Sequence, residues 1–134
     1  MSIPSLPRTT ELYDLSHTLA AELLCREQYP WQAIGMIKSF IIDISAKLDP
    51  ELYENRGDRV YIARDAVVAP SAYIAGPCII DSGAEIRHCA YIRGSVIVGR
   101  NAVVGNSCEL KNCILFDGVQ VPHFNYVGDS ILGY

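Results

Sequence analysis

Between Val60 and Leu115 the apolar residues recur at every sixth position. Ile62, Val68, Ile74, Ile80, Ile86, Ile92, Val98, Val104 and Leu110 form one such series, aliphatic throughout. A second passes through Ala66, Ala72, Cys78, Ala84, Ala90, Val96, Ala102, Cys108 and Ile114, all small or aliphatic. A helix repeats near 3.6 residues and a half-buried strand near 2. A sustained period of six predicts a mainly β fold, a parallel β-helix built from hexapeptide repeats. Each repeat supplies a short strand whose aliphatic side chain points inward. The small residue four positions later points inward where the wall turns a corner and space is short.

The pattern resembles the left-handed parallel β-helix of the hexapeptide-repeat transferases. The resemblance implies a left-handed solenoid in which three hexapeptides close one coil, so that residues 18 apart stack in successive coils. Stacked strands then lie about 4.8 Å apart.

Upstream the rhythm is helical. Thr9 or Thr10 can cap a helix with Glu11 in its first turn, and Leu12, Leu15, Leu19, Leu23 and Leu24 follow at helical spacing. Gln28-Tyr29-Pro30 breaks it, and Trp31 to Leu48 reads as a second helix with Ile34, Ile37, Ile41 and Ile44 on one face. Residues 1–50 are thus expected to form an N-terminal two-helix cap over the open first coil, with Met1 to Arg8 an extended arm. An oligomerisation hairpin is the alternative. Glu51 to Arg59 reads as a linker, and residues 51–134 as the β-helix domain. Asp65, Pro70, Asp81-Ser82-Gly83 and Arg100-Asn101 fall in outward turns.

The rhythm falters after Leu115. Val121-Pro122-His123-Phe124-Asn125-Tyr126 does not match the repeat, and the series resumes at Val127-Gly128 one residue early. A one-residue slip turns side chains to the wrong face. It marks either a site beside His123 or a corner cut short.

A length of 134 residues allows one domain with a real core, and 50% hydrophobic against 19% charged residues excludes a disordered chain. The net charge of −4 argues against a general nucleic-acid binder. The longest apolar runs are too short to span a membrane, and Met1 to Thr10 lacks a signal-peptide core, so a cytoplasmic protein without membrane partners is expected. Five cysteines with no CxxC or Cys–His spacing give no disulfide or zinc framework. Cys78 and Cys108 fall on the inward rung and read as small buried hydrophobes.

Against this scaffold a few residues stand out. Arg93 and Lys111 occupy one corner position in successive coils. Like charges that close require an anion between them or a carboxylate beside them, and Glu109 is near enough to be the latter. The pair is an anion clamp for a phosphate or diphosphate, or a solvated surface pair. His123 lies in the faltering segment and is either structural or a general base. His17 and His88 read as surface residues. No set of three histidines is spaced for a metal, and none is predicted; a zinc-dependent β-helical hydratase would need one. No Gly-rich phosphate loop or GxSxG elbow occurs.

Ile92-Arg93, Val104-Gly105-Asn106-Ser107-Cys108-Glu109-Leu110-Lys111-Asn112 and Val121 to Ser130 closely resemble the acetyltransferase domain of the bifunctional N-acetylglucosamine-1-phosphate uridyltransferase family (GlmU). The motif runs VGN-x-x-E-x-K, then H-x-x-Y-x-GD. The resemblance implies that His123 is the base deprotonating the amine of glucosamine 1-phosphate, that Arg93 and Lys111 hold the sugar phosphate, and that Tyr126 binds substrate. It further implies acetyl-CoA as donor, a phosphosugar or sugar nucleotide as partner, and a homotrimer. Two departures qualify it. The helical segment stands where that family has its uridyltransferase domain, and the family continues for further coils that complete the acetyl-CoA site. The chain is therefore expected to be a truncated piece, inactive alone as an acetyltransferase. Stand-alone UDP-N-acetylglucosamine pyrophosphorylase-related β-helix proteins are also similar. The alternative is a non-catalytic oligomerisation or regulatory module of a sugar nucleotidyltransferase.

Overall fold

A computed structural model describes residues 5–134. Met1 to Pro4, half of the expected N-terminal arm, lie outside it; the remainder, Ser5 to Arg8, is exposed and without regular structure. Beyond the helices the chain winds as a parallel β-solenoid with three walls. The first wall stacks β2 (Val60–Ala63), β5 (Cys78–Ile80) and β8 (Val96–Val98), then the second halves of β10 (Glu109–Leu115) and β12 (Tyr126–Leu132). The second stacks β3 (Val67–Val68), β6 (Glu85–Ile86), β9 (Val103–Val104) and β11 (Gln120–Val121). The third stacks β4 (Tyr73–Ile74), β7 (Tyr91–Ile92) and the first halves of β10 and β12.

The hexapeptide series explains the walls. Ile80, Ile86, Ile92, Val98, Val104 and Leu110 all point inward and are at most 1% exposed, with Ala84, Ala90, Ala102 and Cys108 filling the corners between them. Burial of each such aliphatic side chain contributes about 1.5–3 kcal/mol. Cys78 and Cys113 are buried in the same interior, which pushes both thiols up to about 12.

The first wall is buried on its outer side as well. Ile79, Ile97 and Ile114 point outward, yet are fully buried beneath the helices. That accounts for the unbroken apolar runs Cys78-Ile79-Ile80 and Val96-Ile97-Val98, whereas a wall facing water would alternate. The covering layer consists of α1 (Thr9–Leu12), a 3-10 turn (Leu15–His17), α2 (Ala21–Arg26), α3 (Pro30–Ile34) and α4 (Ile37–Ser45). Leu23, Leu24, Ile37, Phe40 and Ile41 supply its buried face.

Two expectations are corrected here. The helical segment is four short α-helices and a 3-10 turn, not two long helices, and it lies along the flank of the solenoid rather than over its first coil. The helices cover the apolar ridge that Ile79, Ile97 and Ile114 form on the first wall. Part of the coil's edge is closed by the expected linker, whose residues form β1 (Tyr53–Asn55), antiparallel to β2.

The slip is also relocated. Successive coils are 18 residues apart down to Val96, which stacks on Cys78, but Cys113 stacks on Val96 and Ser130 on Cys113 at a spacing of 17. The missing residue is at the corner between the third and first walls. Gly94 and Ser95, both at positive φ, turn that corner in one coil; Asn112 alone does so in the next, at φ 49, and Asp129 after it at φ 48. Leu115, Val121 and Val127 therefore continue the inward series, and Ile114 turns outward instead of inward. The segment around His123 is a regular coil: Phe124 takes the positive-φ position held by Cys89 and Ser107 in the coils before it. The dropped residue adjoins Lys111, not His123.

Besides its backbone pairing with β2, β1 is held by a side-chain bond. The Tyr53 hydroxyl donates to Asp81 Oδ1 at 2.6 Å, and Asp81 is 1% exposed with Arg100 3.6 Å away. Tyr53→Phe removes one donor from that buried carboxylate, which keeps the Ser82 N–H at 2.7 Å, and is expected to cost about 1.5–3 kcal/mol in denaturant unfolding. Burial first, then the bond to Asp81, pushes the Tyr53 phenol above its ordinary value of 10.0. The unfolded chain ionises first as pH rises, so this contribution is whole below that value and falls away above it. In Tyr53→Phe that alkaline loss should be smaller.

Candidate functional site

The third wall faces outward without helices over it. Its register lines Tyr73, Tyr91, Glu109 and Tyr126 in one outward column. Two residues further along the strands, Arg93 and Lys111 occupy the neighbouring outward column. The Arg93 N–H donates to the Leu110 carbonyl at 2.8 Å, and Lys111 stacks on Gly128. Arg93, Lys111 and Tyr126 thus share one face.

Each cation has its own carboxylate. Arg93 Nη1 lies 3.7 Å from Glu109 Oε2, and Lys111 Nζ lies 3.7 Å from Asp129 Oδ2. Glu109 is the partner the spacing pointed to. Asp129 was not singled out, although it lies in the quoted GD motif. Its left-handed backbone at the shortened corner brings it alongside Lys111, and Asn112 Nδ2 donates to its Oδ1 at 2.9 Å. All four charged side chains are 38–56% exposed. Pairs that open to water are worth about 0–1 kcal/mol, so an entering anion can displace the carboxylates at little cost.

Gly128 shapes the same face. A Cβ there would collide with the Tyr126 ring, so the glycine is what lets the tyrosine lie back along its own strand. Tyr73 and Tyr91, three and two coils away, meet edge to face at 5.6 Å.

His123 stands apart from the cations. It lies on the corner leading into the third wall, three residues before Tyr126, exposed and edge-on to Phe124 at 5.5 Å. Asn125 Nδ2 fastens the turn by donating to the Pro122 and His123 carbonyls at 2.9 and 3.2 Å. The ring borders a cavity of about 220 Å³ shared with Arg87, Asn106 and Gln120. Gly105 sets this corner's height: a Cβ there would press on the Val121 carbonyl, Pro122 and the His123 backbone nitrogen at 2.7–2.8 Å. The structure therefore gathers Arg93, Lys111 and Tyr126 on one wall and sets His123 at that wall's leading edge.

Among the described residues no cluster of three or more His, Cys, Asp or Glu is arranged to hold a metal ion, and no helix is long and apolar enough to cross a membrane. The other two histidines are engaged. His17 stacks on Tyr134 at 3.7 Å. His88 touches Ser71 and Cys89.

Coils of this length, with aliphatic rungs and small corner residues, define a hexapeptide-repeat β-helix domain. Residues 74–134 match the GMPPB C-terminal domain family. The bifunctional protein GlmU of Methanococcus maripaludis is 37% identical over 107 residues, covering 78% of this chain and 26% of that protein. GlmU of Brevibacillus brevis is 41% identical over 54 residues, 40% of this chain and 12% of its own. GlmU of Jannaschia sp. is 31% identical over 90 residues, 54% of this chain and 20% of its own. The chain spans 26% of the longest-matching of these relatives. It is a GlmU-like hexapeptide-repeat domain.

Proposed function

We propose that the third wall binds the phosphate of an amino-sugar phosphate, of the glucosamine 1-phosphate type, as the acceptor half of an acetyl-CoA-dependent N-acyltransferase site. The observation that carries this reading is the placement of Arg93 and Lys111 on one face, one coil apart, with exposed carboxylates that a phosphate can displace. Their strands stack about 4.8 Å apart, so one phosphate can bridge the two cations. Tyr126 lies beside them to position the sugar, and His123 stands at the edge from which the amine would be reached. His123 and Tyr126 are open to solvent in a single chain. In this reading a neighbouring subunit, in a homotrimer, excludes water from them and brings the acetyl donor. The isolated protomer is accordingly expected to bind the sugar phosphate and transfer no acetyl group.

Thermal-shift measurement with glucosamine 1-phosphate tests the phosphate site. A ligand at 100 times its dissociation constant stabilises by about 2.7 kcal/mol. The double variant Arg93→Ala, Lys111→Ala should abolish the shift, while Glu109→Gln and Asp129→Asn, which free the cations, should enlarge it. An unchanged shift in the double variant removes the clamp from this reading.

A second reading is favoured by the match to the GMPPB C-terminal domain. Here the domain is a non-catalytic oligomerisation or regulatory module of a sugar nucleotidyltransferase. Absence of any shift with sugar phosphates, together with a stable trimer in sedimentation, would favour it.

A further inference from the structure

His88 and Cys89 share a corner with Ser71 of the preceding coil, and the three side chains form one connected group. Ser71 Oγ lies 2.6 Å from His88 Nδ1. The same oxygen accepts the Cys89 backbone N–H at 3.0 Å, a bond across one full coil of 18 residues. His88 Nε2 lies 3.3 Å from Cys89 Sγ. All three residues are exposed, and Cys89 is at φ 57, the left-handed turn position of its corner.

The bonding pattern allows an imidazole N–H to face the sulfur. Ser71 Oγ is already an acceptor for the Cys89 N–H, so its own proton is free to go to His88 Nδ1. The neutral ring then carries its proton on Nε2, facing the sulfur. When the ring is protonated, Nδ1–H donates to Ser71 and Nε2–H still faces the sulfur. In both of these arrangements the imidazole presents an N–H to Cys89 Sγ, the neighbour that reactive cysteines have. The next coil keeps the geometry but not the chemistry, because Asn106 and Ser107 stand where His88 and Cys89 do. A cavity of about 410 Å³ is bordered by His88 of the group, with Arg87, Glu85 and Asn106. The other cysteines lack these features. Cys78, Cys108 and Cys113 are buried, and Cys25 is exposed on α2.

We propose that Cys89 is a reactive thiol, held ready by His88 and Ser71, that exchanges with small disulfides. The Cys89 thiolate attacks one sulfur of the disulfide; a new S–S bond to Cys89 forms as the old one breaks. The departing thiolate takes up a proton equivalent to the one Cys89 released, so no external oxidant or reductant is consumed. His88 is a positioning and charge-stabilising residue in this step, and Ser71 orients its ring.

Exchange with dipyridyl disulfide, a neutral reagent, tests the proposal on the whole folded chain near neutral pH, with the adduct located by mass spectrometry. In a Cys25→Ser background the accessible thiol is Cys89, and in a Cys89→Ser background it is Cys25. Cys89 is expected to react about tenfold faster than Cys25 or more, the effect of thiolate stabilisation at a histidine-paired cysteine. His88→Gln should bring it down to the Cys25 rate, with unchanged circular dichroism and melting. Equal rates for the two thiols, or an unaltered Cys89 rate in His88→Gln, would overturn it. Ser71→Ala serves as the second variant: a slowed Cys89 supports the proposal, and an unchanged rate counts against the bonding order on which it rests.

Discussion

On the acyltransferase reading proposed above, acetyl transfer to glucosamine 1-phosphate by the assembled protein is expected to fall by about 10²–10⁴-fold in His123→Ala, the range that a positioned general base supplies. The chemistry requires one proton to leave the sugar amine as its nitrogen bonds to the thioester carbonyl carbon. The carbon–sulfur bond then breaks, and the CoA thiolate leaves with a proton. A neutral imidazole at the wall's edge can accept the first proton and return it to the departing sulfur. The variant should not disturb the phosphate clamp, which lies further along the strands at Arg93 and Lys111. Thermal stabilisation by glucosamine 1-phosphate should therefore persist while turnover is lost. Undiminished turnover would remove His123 from the mechanism, and loss of both properties would make it a structural residue of the corner.

Ile97→Asp is expected to abolish the folded state or strip the helices from the solenoid. Ile97 is fully buried on the outer side of the first wall, between β8 and the apolar faces of α2 and α4. A carboxylate there loses its hydration and gains no cation. Such burial costs several kcal/mol per ion, against a total stability of about 5–15 kcal/mol for a domain. Val67 gives the control. It points outward from the second wall, where nothing covers it, and is 62% exposed. Val67→Asp should shift stability by no more than about 0.5 kcal/mol. Thermal melts of the two variants compare directly, and a melt of Ile97→Asp that overlays Val67→Asp would show that the helices do not depend on this ridge.

The pair also shows which parts of the architecture could be read from residues. The inward series was legible because its cause is local and repeated: every coil needs an aliphatic rung and a small corner residue. The outward ridge was equally present in the sequence as Ile79, Ile97 and Ile114, but its meaning depends on what lies above it. Hydrophobic spacing indicated that the helices cover something, without saying whether that is an end or a flank. Likewise, loss of one residue was visible as a shortened interval between Leu110 and Val127. Its position was not, because Asn112 turns by its backbone what Gly94 and Ser95 turn together, and conformation of that kind leaves little trace in residue type. Stacking of Arg93 on Lys111 followed from the repeat length, whereas the Lys111–Asp129 pair depends on the shortened corner. His88 does not stand out in the sequence because its partner Ser71 is distant along the chain and adjacent only through the coil.

The ridge beneath the helices also bears on how the molecule comes apart. A bare stack of repeats holds each coil only to its neighbours, and such stacks can fray one unit at a time. Here Ile79, Ile97 and Ile114, with Ile131 partly buried beside them, pack into one cluster with the helices, so four successive coils share a single lateral support. Opening an outer coil disturbs that shared cluster, which couples coils that do not touch. The helical segment thus acts as a splint, lending all-or-none cooperativity to an architecture that otherwise has little, and keeping the exposed third wall rigid without covering it.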